Sequence, residues 1–222
     1  MKRWMIVAGV LAALVVLGSL WYSLTGTTQV SKTISMAGVT EVSVGDAKLI
    51  LVRDTTERLV VRTTRRQLPW ILVRQTGSTV DLVSGPDDAD PRVLLAMVGV
   101  PTPNDPVTFE LHTSRVSRVT LAGRASLLAE NTKADSLDVD VNSSLSSELR
   151  NVALGKLHVS MQGGGSVKAS GTVGNLSVTE LAAGRFDGAS LHARQAAVTA
   201  AASGIAVVDV VGKGVTEFTA AK

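Results

Sequence analysis

The side chains that could do chemistry are few and scattered. The three histidines, His112, His158 and His192, have no partner at a metal-ligand spacing such as His-x-x-x-His. His158 and His192 fall at polar positions of alternating segments and read as solvent-facing. Ser166 follows three glycines, yet it lacks a Gly-x-Ser-x-Gly context and no acid or base stands beside it, so it reads as a turn serine. Asp87, Asp88 and Asp90 carry oxygen ligands of the kind calcium takes. The Gly-Gly-x-Gly-x-Asp repeat of calcium solenoids is absent, however, and flanking prolines make this an acidic loop. No metal or cofactor site is expected. Asn142-Ser-Ser144 and Asn175-Leu-Ser177 fit the glycosylation-acceptor pattern, which arises often by chance.

The densest basic stretch is Arg53, Arg58, Arg62, Arg65, Arg66 and Arg74. Arg53, Arg62, Arg65 and Arg66 form a candidate patch for an anionic partner such as a lipid head group or an envelope glycan; the competing reading is a set of solvated strand faces near a membrane. Lys plus Arg number 22 against 19 Asp plus Glu, and leaving aside Lys2 and Arg3 makes this 20 against 19. Such a balance gives no support to a nucleic-acid partner. The absence of cysteine removes thiol catalysis, iron–sulfur clusters, cysteine zinc sites and the lipid-acceptor cysteine of a bacterial lipoprotein.

The elements that must position these groups divide the chain into residues 1–28, 29–106 and 107–222. Lys2 and Arg3 precede an apolar run from Trp4 to Leu24, about 30 Å long as a helix. An uncleaved membrane anchor and a cleaved signal peptide both fit. Trp21 and Tyr22 lie where cleavage would fall and suit an interfacial belt, which favours one N-terminal transmembrane helix. With Lys2 and Arg3 inside, the rest of the chain lies on the periplasmic or extracytoplasmic side of a bacterial inner membrane. A cleaved, secreted form is the alternative.

The 29–106 part holds short β-type runs at 42–44, 49–52, 59–61, 71–73 and 80–83, joined by turn residues such as Gly45-Asp46 and Gly77-Ser78, and predicts antiparallel strands. An apolar strand, 93–100, sits between proline-rich loops. From Val119 an apolar-polar-apolar triplet recurs as Val119-Thr-Leu121, Leu137-Asp-Val139, Leu157-His-Val159, Leu176-Ser-Val178 and Ala196-Ala-Val198, at spacings of 18, 20, 19 and 20 residues. A period near 20 predicts an all-β solenoid, in which each coil buries its apolar side only by stacking on its neighbours. Gly123, Gly165, Gly184 and Gly204 are the expected turn residues, chosen for positive φ at the corners. Where Val141, Met161 and Ala200 recur, one unit has Glu180 followed by Leu181, and a β-bulge there would restore the register. Aromatic residues are only 3% of the chain, so the core must be Val, Leu, Ile and Ala.

Gly38-Val-Thr-Glu-Val-Ser-Val44, the strand series ending Thr79-Val-Asp-Leu-Val83, and the small-Gly-small turns at Ala122-Gly123, Gly163 to Gly165, Ala183-Gly184 and Ser203-Gly204 resemble the auto-transporter adhesin head domain family, the GIN-type domain of bacterial envelope proteins. The resemblance covers roughly Ser35 to Phe218. It implies an exported right-handed β-helix with a strand-rich first half and no established activity. The sequence departs from it at Asn142-Ser-Ser-Leu145, where the turn glycine is missing, and at Lys222, which follows Phe218 closely.

The expected function is therefore that of a non-catalytic, membrane-anchored envelope protein whose solenoid surface serves binding, adhesion or scaffolding, with an envelope protein or glycan as partner. The alternative is a carbohydrate-active enzyme of the polysaccharide lyase or hydrolase type. Such chemistry needs clustered acids, calcium or a placed base, with aromatic platforms for sugar, and from Val119 onward the only aromatics are Phe186 and Phe218. The last strands, 207–211 and 215–218, would leave an open β edge, which predicts self-association through the C-terminal coil.

Overall fold

The computed structural model of the chain describes residues 28–85, 105–201, 204–211 and 216–221. The apolar run Trp4 to Leu24, the acidic loop with Asp87, Asp88 and Asp90, and the 93–100 strand lie outside them. Among the described residues no helix is long and apolar enough to cross a membrane.

Inward valines stacked on one another set the register of the solenoid. Val42 lies on Val119, Val119 on Val139, Val139 on Val159, Val159 on Val178 and Val178 on Val198, all in parallel pairing. Equal β-branched side chains fill a pleated, narrow interior without gaps, so the repeat selects valine rather than rings. The successive steps from Val119 are 20, 20, 19 and 20 residues, about four turns of coil. This corrects the spacing of 18 for the first unit. Val119 aligns with Val139 and not with Leu137, because pairing between these two strands starts with Arg118 opposite Asp138.

Each coil contributes one strand to each of two faces. The first face is built from β2 (Glu41–Gly45), β8 (Arg118–Gly123), β10 (Lys133–Ser143) and the later halves of β11 (Ser146–Met161), β12 (Ser166–Glu180) and β13 (Arg185–Ala201). The second face is built from β3 (Lys48–Val52), β9 (Ser126–Glu130), the earlier halves of β11, β12 and β13, and β14 (Ile205–Val210). The strand β15 (Thr216–Ala221) adds to the later half of β13.

The early part is not the antiparallel set expected. β2 and β3 pair in parallel with β8 and β9, so the solenoid already begins at Glu41. Among the described residues antiparallel pairing is confined to three contacts: β1 (Gln29–Ser35) with β4 (Arg58–Thr64), β4 with β7 (Thr108–His112), and β5 (Ile71–Thr76) with β6 (Thr79–Ser84). β6 and β7 themselves lie parallel to β2 and β3. One face thus ends on β1 and the other on β5. A single turn of 3₁₀ helix, Leu68–Trp70, leads into β5. One apolar core runs from Met36 to Val198, with Phe109 and Phe186 as its buried rings.

The corners differ from expectation in their physical cause. Gly123 has the anticipated positive φ, 63°. Gly165, Gly184 and Gly204 do not; at Gly165 the backbone of the coil above leaves no room for a Cβ, whereas at Gly184 and Gly204 the nearest atoms are the side-chain ends of Met161 and Glu180. On Gly165 it would stand 2.7 Å from the carbonyl oxygens of Ser143 and Leu145. The opposite corner uses asparagine: Asn131 and Asn151 have φ of 52° and 50°, and the Asn151 Nδ2 donates to Asn131 Oδ1 at 2.6 Å. Asparagine tolerates this backbone region and its amide links one coil to the next.

No bulge forms at Glu180. Glu180 pairs with Met161 on one side and Ala200 on the other, in unbroken register, and its side chain is fully buried in the ladder of Met161 and Val141. Leu181 absorbs the mismatch by turning out to solvent, 56% exposed.

Candidate binding surface

Outward side chains on the first face form rows that run across the coils, as inward ones do. One row is Ser136, Lys156, Asn175 and Gln195; the next is Asp138, His158, Ser177 and Ala197. Between them runs a groove of about 510 Å³ over Leu157, Leu176 and Ala196. Asp138 is held by Arg118 at 3.3 Å. Ser136, Lys156, His158, Asn175, Ser177 and Gln195 make no side-chain hydrogen bond or ion pair among the described residues. His158, expected to face solvent, lies half-buried in this groove.

A second polar cluster joins the β3–β4 loop to β7. His112 is buried, its Nε2 2.9 Å from Glu110 Oε1 and its Nδ1 3.2 Å from Asp54 Oδ2. Arg58 reaches the same Asp54 oxygen at 3.2 Å, and Arg62 grips Glu110 Oε2 through Nε and Nη2 at 3.0 and 2.8 Å. The backbone N–H of Thr56 and the bond from His112 hold the Asp54 carboxyl below the usual range, against the cost of burial. Burial acts to raise Glu110, but the Arg62 and His112 bonds outweigh it and keep that carboxyl low. Both ring nitrogens are engaged, Nε2 by Glu110 and Nδ1 by Asp54 and by Arg58 Nη2, which lies 3.2 Å from it, so neither is left to act on a substrate. The arrangement clamps strands together. Sequence reading missed it because Asp54 and His112 are 58 residues apart; the local signal was Glu110 two positions before His112 on one strand.

The candidate arginine patch is distributed among different partners. Arg62 is taken by Glu110, and Arg66 by Asp105 through Nε and Nη2 at 3.0 and 2.6 Å. The Arg66 and Thr64 bonds keep the Asp105 carboxyl low. Arg53 donates to the Lys133 carbonyl, away from the other three, and Arg65 is exposed beyond the end of β4. His192 pairs with Asp209 at 2.8 Å on the surface. Ser166 Oγ lies 2.7 Å from Ser146 Oγ in the coil above, as part of a stacked turn. Among the described residues no group of three or more His, Asp or Glu is placed to hold a metal ion. Asn142 and Asn175 are both exposed.

Among the described residues Glu180 is the acid that lies fully inside the core. One oxygen accepts the Phe186 backbone N–H at 2.9 Å; the other, Oε2, is buried without a partner. Burial pushes this carboxyl above its usual range, and the Phe186 bond offsets that only partly.

No curated protein matches the chain. Among solved structures, the fold is similar to that of a "putative adhesin" from Bacteroides fragilis, with a TM-score of 0.65 and 14% identity over 89% of this chain and 99% of the other. Two proteins from Parabacteroides distasonis are also similar: a "putative adhesin" at TM-score 0.54 and 14% identity, over 89% of this chain and 94% of the other, and a "putative lipid binding protein" at 0.52 and 16%, over 88% and 94%. At these identities the likeness speaks for the fold. The family description "Putative auto-transporter adhesin, head GIN domain" matches residues 40–214. The repeat, the corners and this match together place the chain in the auto-transporter adhesin head GIN domain family.

Proposed function

We propose that the protein is a non-enzymatic adhesion or scaffolding module of the bacterial envelope, which holds its solenoid outside the cytoplasm on an N-terminal anchor and binds through the first face. The observation that carries this reading is the groove face itself: coil stacking fixes rows of polar side chains at regular intervals on a rigid sheet, and six of them are uncommitted. A binding surface built on strands is pre-organised, so little ordering cost opposes association. Family membership agrees with this role. The coil is taken as right-handed, since right-twisted parallel strands joined by crossovers close that way in nearly all cases.

The C-terminal coil supplies a second contact of the same module. β14 pairs with β13 alone among the described residues, and Ile205, Val207 and Val211 are exposed beside it, a combination that favours pairing with a second copy. The test of the main reading uses the full-length protein in detergent, tagged at the N-terminus, against isolated envelope fragments. Retention that falls several-fold in Lys156→Glu/His158→Glu supports the reading, and retention unchanged by that pair refutes it. Protease digestion of spheroplasts examines the placement: cleavage of the β domain from outside is expected, and full protection contradicts it.

A further inference from the structure

Resting on the binding role proposed above, we infer that the groove between the Ser136–Gln195 and Asp138–Ala197 rows is a site for an extended glycan strand bearing carboxylate groups. Three observations select that ligand. First, β10, β11, β12 and β13 are each hydrogen-bonded to neighbours on both sides along this face, so no backbone edge is open beneath the groove. A peptide cannot add itself there as a further strand, and recognition must come from side chains.

Second, the uncommitted groups match hydroxyls. Asn175 and Gln195 each offer a carbonyl and an amide, and Ser136 and Ser177 each offer a hydroxyl. Such groups both donate and accept, as sugar hydroxyls do. They recur once per coil, about 4.8 Å apart, close to the advance of one sugar unit in an extended chain. Successive coils can then engage successive units of one strand laid across them. Leu157, Leu176 and Ala196 lie beneath the groove with their side chains turned into the core, so a strand laid here rests on the flat sheet and is held by the two outward rows.

Third, the groove has an uncommitted cation and its one acid is neutralised. Lys156 stands in the first row with no partner, and His158 faces it from the second, while Asp138 is occupied by Arg118. A donor-only ammonium among amphoteric groups reads a carboxylate substituent. Among the described residues no Phe, Tyr or Trp lines the groove, so each unit is held weakly and the strand must be held at several coils together.

The test is affinity electrophoresis of the full-length protein in detergent, through gels containing polygalacturonate, its methyl-esterified form, or polyglutamate. Retardation in polygalacturonate, several-fold weaker in the other two, is expected. Lys156→Ala and Asn175→Ala/Gln195→Ala should each relieve it, whereas Lys168→Ala, a cation of the second face, should not. Equal retardation by polyglutamate, relief by Lys168→Ala to the same extent, or none by polygalacturonate overturns the inference. Circular dichroism of each variant confirms that these outward substitutions leave the fold intact. Envelope-fragment retention of the same variants separates the two readings: if fragments are retained through the first face but no acidic glycan is bound, the ligand is wrong and the surface stands; if neither occurs, the binding role itself falls.

Discussion

At the scale of single residues, three half-buried carboxylates and one buried one pull stability in opposite directions with pH. Asp54, Asp105 and Glu110 are held below their ordinary values, so each contributes stability that is present above the usual carboxylate pKa of about 4 and is lost as pH falls through the depressed one. Glu180 is raised, so the folded state binds its proton more tightly than the unfolded chain, and stability grows as pH falls from the raised value toward about 4.3. Replacing Glu180 with Gln keeps an acceptor for the Phe186 N–H and removes the charge. We expect Glu180→Gln to be more stable than wild type at pH 7, by on the order of 1–3 kcal/mol, with the gain shrinking toward pH 4; thermal melts at both values check this. A loss at pH 7 would mean that Glu180 is satisfied as an anion. His112→Ala removes a side chain that bridges two acids, and a cost of about 1–3 kcal/mol in urea unfolding is expected. None of this was legible from spacing, since Asp54 reaches His112 across a loop and two strands, and a Glu in an inward triplet position reads as a register error. The outward rows were legible only in part: the alternation marked His158 as polar, but which residues share a row depends on the coil-to-coil register.

At the scale of elements, the repeat was readable because each coil buries the same positions, and a valine that stacks on a valine leaves a 20-residue trace. The first spacing was misread because Leu137-Asp-Val139 and Val139-Asp-Val141 are equally good triplets, and only pairing with Val119 decides between them. Parallel pairing of β2 and β3 was hidden for a different reason: residues 53–117 separate that coil from the β8–β9 coil it stacks on, so no period reveals it. Of the expected corner glycines, Gly123 serves the conformational reason, while Gly165 serves a steric one. That distinction is testable within one turn. Gly164 has open space where a Cβ would go, and Gly165 does not. Gly164→Ala should therefore change stability by less than about 0.5 kcal/mol, while Gly165→Ala should cost about 1–3 kcal/mol by overpacking, both read by denaturant midpoint. Similar costs for the two would return the explanation to backbone flexibility.

At the scale of the whole molecule, the two ends of the solenoid are built differently. Antiparallel strands finish the early end on both faces, while among the described residues β14 pairs with β13 alone and has apolar side chains exposed. Self-association should therefore pass through the late end: light scattering of the full-length protein is expected to show an oligomer that Ile205→Lys/Val207→Lys returns toward monomer. A monomer at high concentration in the wild type refutes this. The central claim concerns the side of the solenoid rather than its end, and it is tested most directly in living cells. A photo-reactive amino acid placed at Asn175, in the groove, and separately at Lys168, on the second face, should give an envelope adduct from the first position and none from the second. Adducts of equal yield from both, or none from Asn175, would contradict a binding surface on the first face.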